Sequence, residues 1–287
     1  MVGDVKGPLT PRSRGELVPT AAGIPIRWSS ALAQQLYLNI RSKTAPQYRL
    51  LISPDHPAHL RLLGSMHGVY NHSLSVGNAA GKTAYQIGAN ADLARVAGYF
   101  HDFGKLQQGT FYAGATSGLR TIRSIIDSEA ELQLLIGHPQ AAREFLVVYP
   151  DIPEAVIEIA AQHHGTTRTF ANVTAELLAA HGGIIRYPGP KPQSKEAAIV
   201  MLADEIDAYL SLVSHRKQLP RPLQRQHIHA AVDHIFDELL ADEQFAESGL
   251  TSGELARIKN YIMWPFYRFY KDYDLVSTPA GLRKHGR

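Results

Sequence analysis

The run Tyr99-Phe100-His101-Asp102-Phe103-Gly104-Lys105 sets a histidine and an aspartate side by side in a largely apolar stretch that starts at Leu93. Burying an unpaired carboxylate costs on the order of several kcal/mol. A metal ion removes that cost and gives both side chains a role. The rest of the chain offers candidate partners in His72, His138, His163, His164 and Asp204. A bridging aspartate can hold two cations about 3.5–4 Å apart, and such a pair can clamp a phosphodiester and activate water. Two cations need more donors than one helix face presents, so the ligands must come from several elements.

Each candidate has a plainer alternative when taken alone. His101-Asp102 can be a charge pair at a helix end. His163 and His164 are adjacent, point in different directions on a helix and can both be surface residues. His72 follows Asn71 and can be a capping or surface residue; His138 precedes Pro139 and can end or start a helix. Asp204 is harder to explain by solvation, because it ends the apolar run Ala197 to Ala203. The ordered set His, His-Asp, His, His-His, Asp is a far stronger signal than any member.

Composition narrows the chemistry. The chain has 287 residues, which favours one large domain with extensions. Apolar residues make up 45%, enough for a real core, and charged residues only 19%. The net charge of +3 is too mild to require a nucleic-acid polymer as partner and is compatible with a small anionic substrate. There is no cysteine, so disulfides and thiolate metal sites are excluded. Histidine and carboxylate ligands suit iron, manganese or zinc. No segment approaches the roughly 18–20 apolar residues that span a bilayer. These features read as a soluble, cytoplasmic protein or domain.

The elements that must position these residues are nearly all helices. Residues 1–27 and 279–287 read as flexible tails around a domain at 28–278. Trp28 to Ser42, Ser73 to Ile87, and a helix capped by Asn90 and running into His101 carry helical spacing. Residues 129–147 and 153–164 follow, the latter with Pro153 in its first turn. Phe170 to Ala180, a helix opened by Ser194, and Arg225 to Leu240 come next. Thr251 and Glu254 fit a capping box for a last helix through Tyr270. Between them, the stiff loop Arg186 to Gln193 carries Arg186 and Lys191 towards the start of the Ser194 helix, where a phosphate can sit.

Order and spacing together resemble the HD-domain metal phosphohydrolases. More narrowly, the chain is similar to the cytosolic HD domain of the seven-transmembrane-receptor HD hydrolases, the PgpH-type cyclic-di-AMP phosphodiesterases. The matching segments are Tyr70 to Leu74, Ile87 to Asn90 with Leu93 to Val96, His101 to Lys105, His163 to Thr167 and Arg186 to Asp204. The resemblance covers roughly residues 48–270. It implies an all-α helical bundle with a dinuclear site of two divalent ions, iron or manganese. His72, His101, Asp102 and Asp204 would hold one ion; Asp102, His138, His163 and His164 the other. It implies hydrolysis of cyclic-di-AMP to the linear dinucleotide, with Asp102 and Lys105 at the reacting centre and Lys105, Arg186, Lys191 and Lys195 as phosphate contacts. Alternatives are another nucleotide substrate or a nucleotide sensor without turnover. The chain departs from the family at His67 to Asn71 and in the Gly- and Thr-rich loop Gln107 to Arg120.

Other motifs carry less. Gly81-Lys82-Thr83 suggests a phosphate loop but lacks its upstream glycine, since position 76 is Val76. His215, His227, His229 and His234 read as a polar helix surface. Trp264, Phe266, Tyr267, Phe269 and Tyr270 read as core or as the contact of a homodimer.

Overall fold

The computed structural model describes residues 40–108, 125–169, 172–216 and 224–268. Both expected tails, most of Trp28 to Ser42 and most of the Gln107 to Arg120 loop lie outside them. The chain divides into Met1–Thr44 and Ala45–Arg287, and every element below belongs to the second unit. Helices α1 (Pro57–Ser65), α2 (His67–Ile87) and α3 (Ala91–Phe100) lead into a 3-10 segment at His101–Gln108. Then come α4 (Glu129–Leu146), α5 (Glu154–Gln162), α6 (Ala175–Ala180), α7 (Lys195–Arg216), α8 (Arg225–Ala241) and α9 (Ser252–Tyr261). Among the described residues there is no strand, only the isolated bridges Ile126 to Val173 and Arg168 to Arg186. The fold is all-α.

Local chemistry sets the helix ends. Asn90 accepts a hydrogen bond from the Leu93 amide and Ser128 from the Glu131 amide, which fixes the starts of α3 and α4. Thr251 and Glu254 form the capping box of α9. The segment from Phe170 divides differently from its helical reading. Thr174 caps a short α6, while Val173 bridges to Ile126; Phe170 and Ala171 lie outside the described residues. The last helix breaks at a turn at Ile262 and resumes over 263–268.

Helix α7 sits at the centre, against α2, α3, α5 and α8. Ala197, Ala198, Ile199, Val200, Met201, Leu202 and Ala203 are all buried, as expected of a helix apolar on every side. Beside it, α2 and α3 cross at a glycine contact. A Cβ on Gly98 would lie 2.5 Å from the Gly77 Cα, and one on Gly77 2.5 Å from the Arg95 carbonyl oxygen. The same face explains Gly81, which packs within α2 against α3 and forms no phosphate loop.

Alanine ordinarily favours a helix over glycine by about 1 kcal/mol. Gly98→Ala should nevertheless destabilise by about 1–3 kcal/mol, because overpacking dominates. A urea midpoint that falls supports the glycine contact; one that rises contradicts it.

Candidate metal centre

The helices bring all the expected ligand candidates to one place. His72 comes from the middle of α2. His101 ends α3, and Asp102 with Lys105 follows in the 3-10 segment. His138 lies inside α4, His163 and His164 end α5, and Asp204 lies on α7. His101, Asp102, His138, His163 and Asp204 are each at most 3% exposed.

The imidazoles are anchored by carbonyls that the helices leave without an amide. Helix ends orphan their last carbonyls. His101 Nδ1 donates to the Gly98 carbonyl at the end of α3 (2.8 Å), and His163 Nδ1 to the Ala160 carbonyl at the end of α5 (2.6 Å). His138 sits mid-helix, and there Pro139 does the equivalent. Proline has no N–H, so the carbonyl four residues back, Leu135, lacks its helical donor. His138 Nδ1 donates to it instead, at 2.7 Å. A carbonyl only accepts, so each Nδ1 carries the hydrogen and each Nε2 is turned towards the cluster. Pro139 therefore continues α4 rather than ending it.

Asp102 stands between two groups of ligands. Its Oδ2 faces His72 Nε2 (3.8 Å) and His101 Nε2 (3.5 Å). Its Oδ1 faces His138 Nε2 (3.4 Å) and His163 Nε2 (3.8 Å). Asp204 Oδ1 closes the first group, 2.8 Å from His72 Nε2 and 3.4 Å from His101 Nε2. His164 Nδ1 lies 3.6 Å from Asp204 Oδ2. Protonation suits metal ligation. Burial pushes His138 and His163 below the usual imidazole range and His164 down to about 3, so all are neutral at pH 7. Burial opposes the charge on Asp102, but Lys105 and His101 outweigh it and hold the carboxyl well below its usual range. Burial likewise opposes the Asp204 charge, and His101 and His72 outweigh it. His72 differs: burial resists its proton, yet hydrogen bonds to Asp204 and Asp207 raise it to about 10.

A second ring of contacts holds this cluster, most of it from residues that no sequence motif marks. Asp207 receives His72 Nδ1 at 2.7 Å and the Ser75 hydroxyl at 2.7 Å. It sits one turn beyond Asp204 on α7, and that spacing was the available signal. Tyr187 stacks on His164, with ring centroids 4.0 Å apart. Glu205 approaches His164 Nδ1 at 3.3 Å, and burial with the nearby Asp204 charge raises its carboxyl to about 8. Gln244, fully buried, accepts from the Thr166 amide and donates to the Thr166 hydroxyl. It thereby ties the turn after His164 to the end of α8. Gly104 lets the 3-10 segment lie on α4, since a Cβ there would come within 1.9 Å of the His138 carbonyl oxygen.

The expected phosphate contacts divide. Lys105 Nζ reaches the cluster, 2.6 Å from Asp102 Oδ2. The other three cations are held elsewhere. Arg186 makes a two-pronged pair with Asp242, Lys191 donates to the Glu243 carbonyl, and Lys195 pairs with Glu254. The N-terminus of α7 is also occupied, with the Ser194 hydroxyl accepting from the Ala197 amide. The late histidines His229 and His234 face Asp233 and Glu238 on the exposed face of α8.

A family model of the HD domain matches residues 69–209, the stretch that carries every one of these ligand candidates. The chain belongs to the HD-domain family. The HD domain resembles the cyclic-di-AMP phosphodiesterase PgpH of Bacillus subtilis, at 32% identity over 72% of this chain and 29% of that protein. It also resembles PgpH of Listeria monocytogenes, at 31% over 74% and 29%. Ribonuclease Y of Streptococcus agalactiae is 30% identical over 52% of this chain and 25% of its own length. The chain thus spans less than a third of the length of these relatives. A crystal structure of the L. monocytogenes PgpH HD domain in complex with cyclic-di-AMP superposes with a TM-score of 0.62, at 28% identity, covering 76% of this chain and all of that one. Among the described residues, no helix is long and apolar enough to cross a membrane.

The HD cluster fits divalent metal. His101 Nε2 and Asp102 Oδ1 are buried without a hydrogen-bond partner. His138 Nε2 and His163 Nε2 face each other at 3.1 Å as two lone pairs, an arrangement that a cation between them resolves. His72, His101 and Asp102 form one metal-competent group, and His138, His163 and His164 another.

Pro139→Ala restores the missing amide, which competes with His138 for the Leu135 carbonyl. Helix propensity then favours the variant, while the His138 ring loses its anchor. The expected outcome is a parental or higher urea midpoint with divalent-metal affinity reduced about 10–100-fold. Parental metal affinity in the folded variant would contradict the anchoring role.

Proposed function

We propose that this HD domain is a two-metal phosphodiesterase that opens cyclic-di-AMP to the linear dinucleotide. The observation that carries the proposal is Asp102, whose two oxygens face two separate ligand groups. His72, His101, Asp102 and Asp204 would hold one ion and Asp102, His138, His163 and His164 the other, with iron or manganese favoured by the all-nitrogen-and-oxygen donor set. When bound, such ions place positive charge against phosphoryl oxygens and make water more acidic.

The chain's own residues do the rest. Lys105 sits beside Asp102 and can donate a charge-assisted hydrogen bond to the scissile phosphate's non-bridging oxygen. The anchored Nδ1 atoms keep the imidazoles from turning as charge develops, so little reorganisation is needed. Asp207 holds His72 from behind and orients its other nitrogen towards Asp204. The reaction adds water across one phosphodiester bond, breaking phosphorus–oxygen and leaving a phosphate monoester and a free hydroxyl. Similarity to PgpH proteins over most of the chain supports the cyclic dinucleotide over an RNA substrate, for which the ribonuclease Y similarity is shorter. The same reading places the domain in the cytoplasm.

A substrate panel tests this. Manganese- or iron-loaded protein should cleave cyclic-di-AMP with a higher kcat/KM than cyclic-di-GMP, a dNTP or a short RNA. Chelation should abolish turnover and lower the Tm by about 5–10 °C, because metal stabilises only the folded state. A higher kcat/KM on any of the other substrates would overturn the substrate assignment. Binding of cyclic-di-AMP without any cleavage would favour a sensor.

A further inference from the structure

Next to the metal centre, on the side of Glu205, lies an open cavity of about 270 Å³ that the proposed mechanism does not use. Glu205 connects the two, since it lines the cavity and also touches His164. Two arginines stand in its wall. Arg168 and Arg186 are paired on an isolated antiparallel bridge. Directly opposed residues on such a bridge have neighbouring side chains, and like charges there are destabilising. The bridge sets the two arginines at neighbouring backbone positions, and both side chains line this one cavity.

The two arginines differ. Arg186 is pinned: its terminal nitrogens donate to both Asp242 oxygens and to the Thr166 carbonyl. A guanidinium held this way offers its flat face rather than its donors. Among the described residues, Arg168 has no ion-pair partner. The remaining lining decides the chemistry of the ligand. Glu238, Asp242 and Glu205 put carboxyl groups round the cavity, which disfavours a phosphate. Ile235 and Leu239 give it an apolar floor. Flat guanidinium faces, an apolar floor and acceptors at the edge match a nucleobase, which stacks on arginine and donates through its exocyclic amine. The volume falls below the range for a whole drug-sized ligand, so it suits one part of a dinucleotide.

We infer that this cavity is a base subsite that takes one purine of the dinucleotide, with Arg168 and Arg186 as its stacking residues. The subsite rests on the phosphodiesterase reading, and it makes Arg168 a specificity residue outside the metal centre.

The test uses the full metal-loaded chain and two substrates, cyclic-di-AMP and bis(p-nitrophenyl) phosphate, which has no nucleobase. Arg168→Ala, Arg168→Lys and the cavity-filling Ala241→Trp are compared with the parent. The quantity read is the ratio of kcat/KM on cyclic-di-AMP to kcat/KM on the small diester. All three variants should lower that ratio at least tenfold, mainly through KM for the dinucleotide. Because lysine keeps the charge but loses the plane, rescue by Arg168→Lys would show a phosphate contact and overturn the base subsite. Ratios within twofold of the parent in all variants would also overturn it. If the parent cleaves the small diester but not cyclic-di-AMP, the substrate assignment has failed separately. Equilibrium binding of adenosine 5′-monophosphate to the metal-loaded protein then decides: at least fivefold weakening by Arg168→Ala upholds the subsite, and equal or absent binding rejects it.

Discussion

The structure depends on the burial of carboxylates. Asp102, Asp204 and Asp207 are each at most 3% exposed, in a bundle whose centre is an apolar helix. A lone buried carboxylate either takes up a proton or destabilises the fold. Here the helices surround these groups with imidazoles and Lys105, so Asp102 and Asp204 stay ionised. The same compensation makes the cluster a cation site. Charge density that the fold has to neutralise becomes charge density that divalent ions can occupy.

Precision comes from backbone groups that ordinary helices leave unsatisfied. The ends of α3 and α5 each free a carbonyl, and Pro139 frees one inside α4. Each captures one imidazole nitrogen and aims the other at Asp102 or its neighbours. A histidine on a regular helix would have to share such a carbonyl with the helical amide that already uses it. Irregularity at these positions and function are therefore the same feature.

The helices and the clustering of the ligand candidates were legible in the sequence for a common reason. His101-Asp102 and Asp204 break apolar runs, and a polar residue inside an apolar helix must have a partner. The capping residues Asn90, Ser194 and Thr251 were equally local, and each caps as its sequence suggests. Contacts across the fold were not legible. Gln244 meets Thr166 across 78 residues, and nothing near it in sequence marks the pairing. The role of Gly104 depends on how closely α4 lies to it. Arg186 looks like a phosphate ligand in sequence because its carboxylate partner, Asp242, is 56 residues away. Pro139 lies inside the helix expected over 129–147, but that the His138 ring satisfies the carbonyl it frees was not legible, because that contact serves the site rather than helix propensity.

The two-metal reading rests on one carboxylate, Asp102, shared by both ions. Metal quantitation of anaerobically purified parent and Asp102→Ala, together with circular dichroism to show retained helices, tests it most directly. Close to two ions per parent chain are expected, with loss of most of both in the folded variant, because only a bridging ligand disturbs both sites at once. A single ion in the parent, or a folded Asp102→Ala that keeps its full metal content, would contradict it.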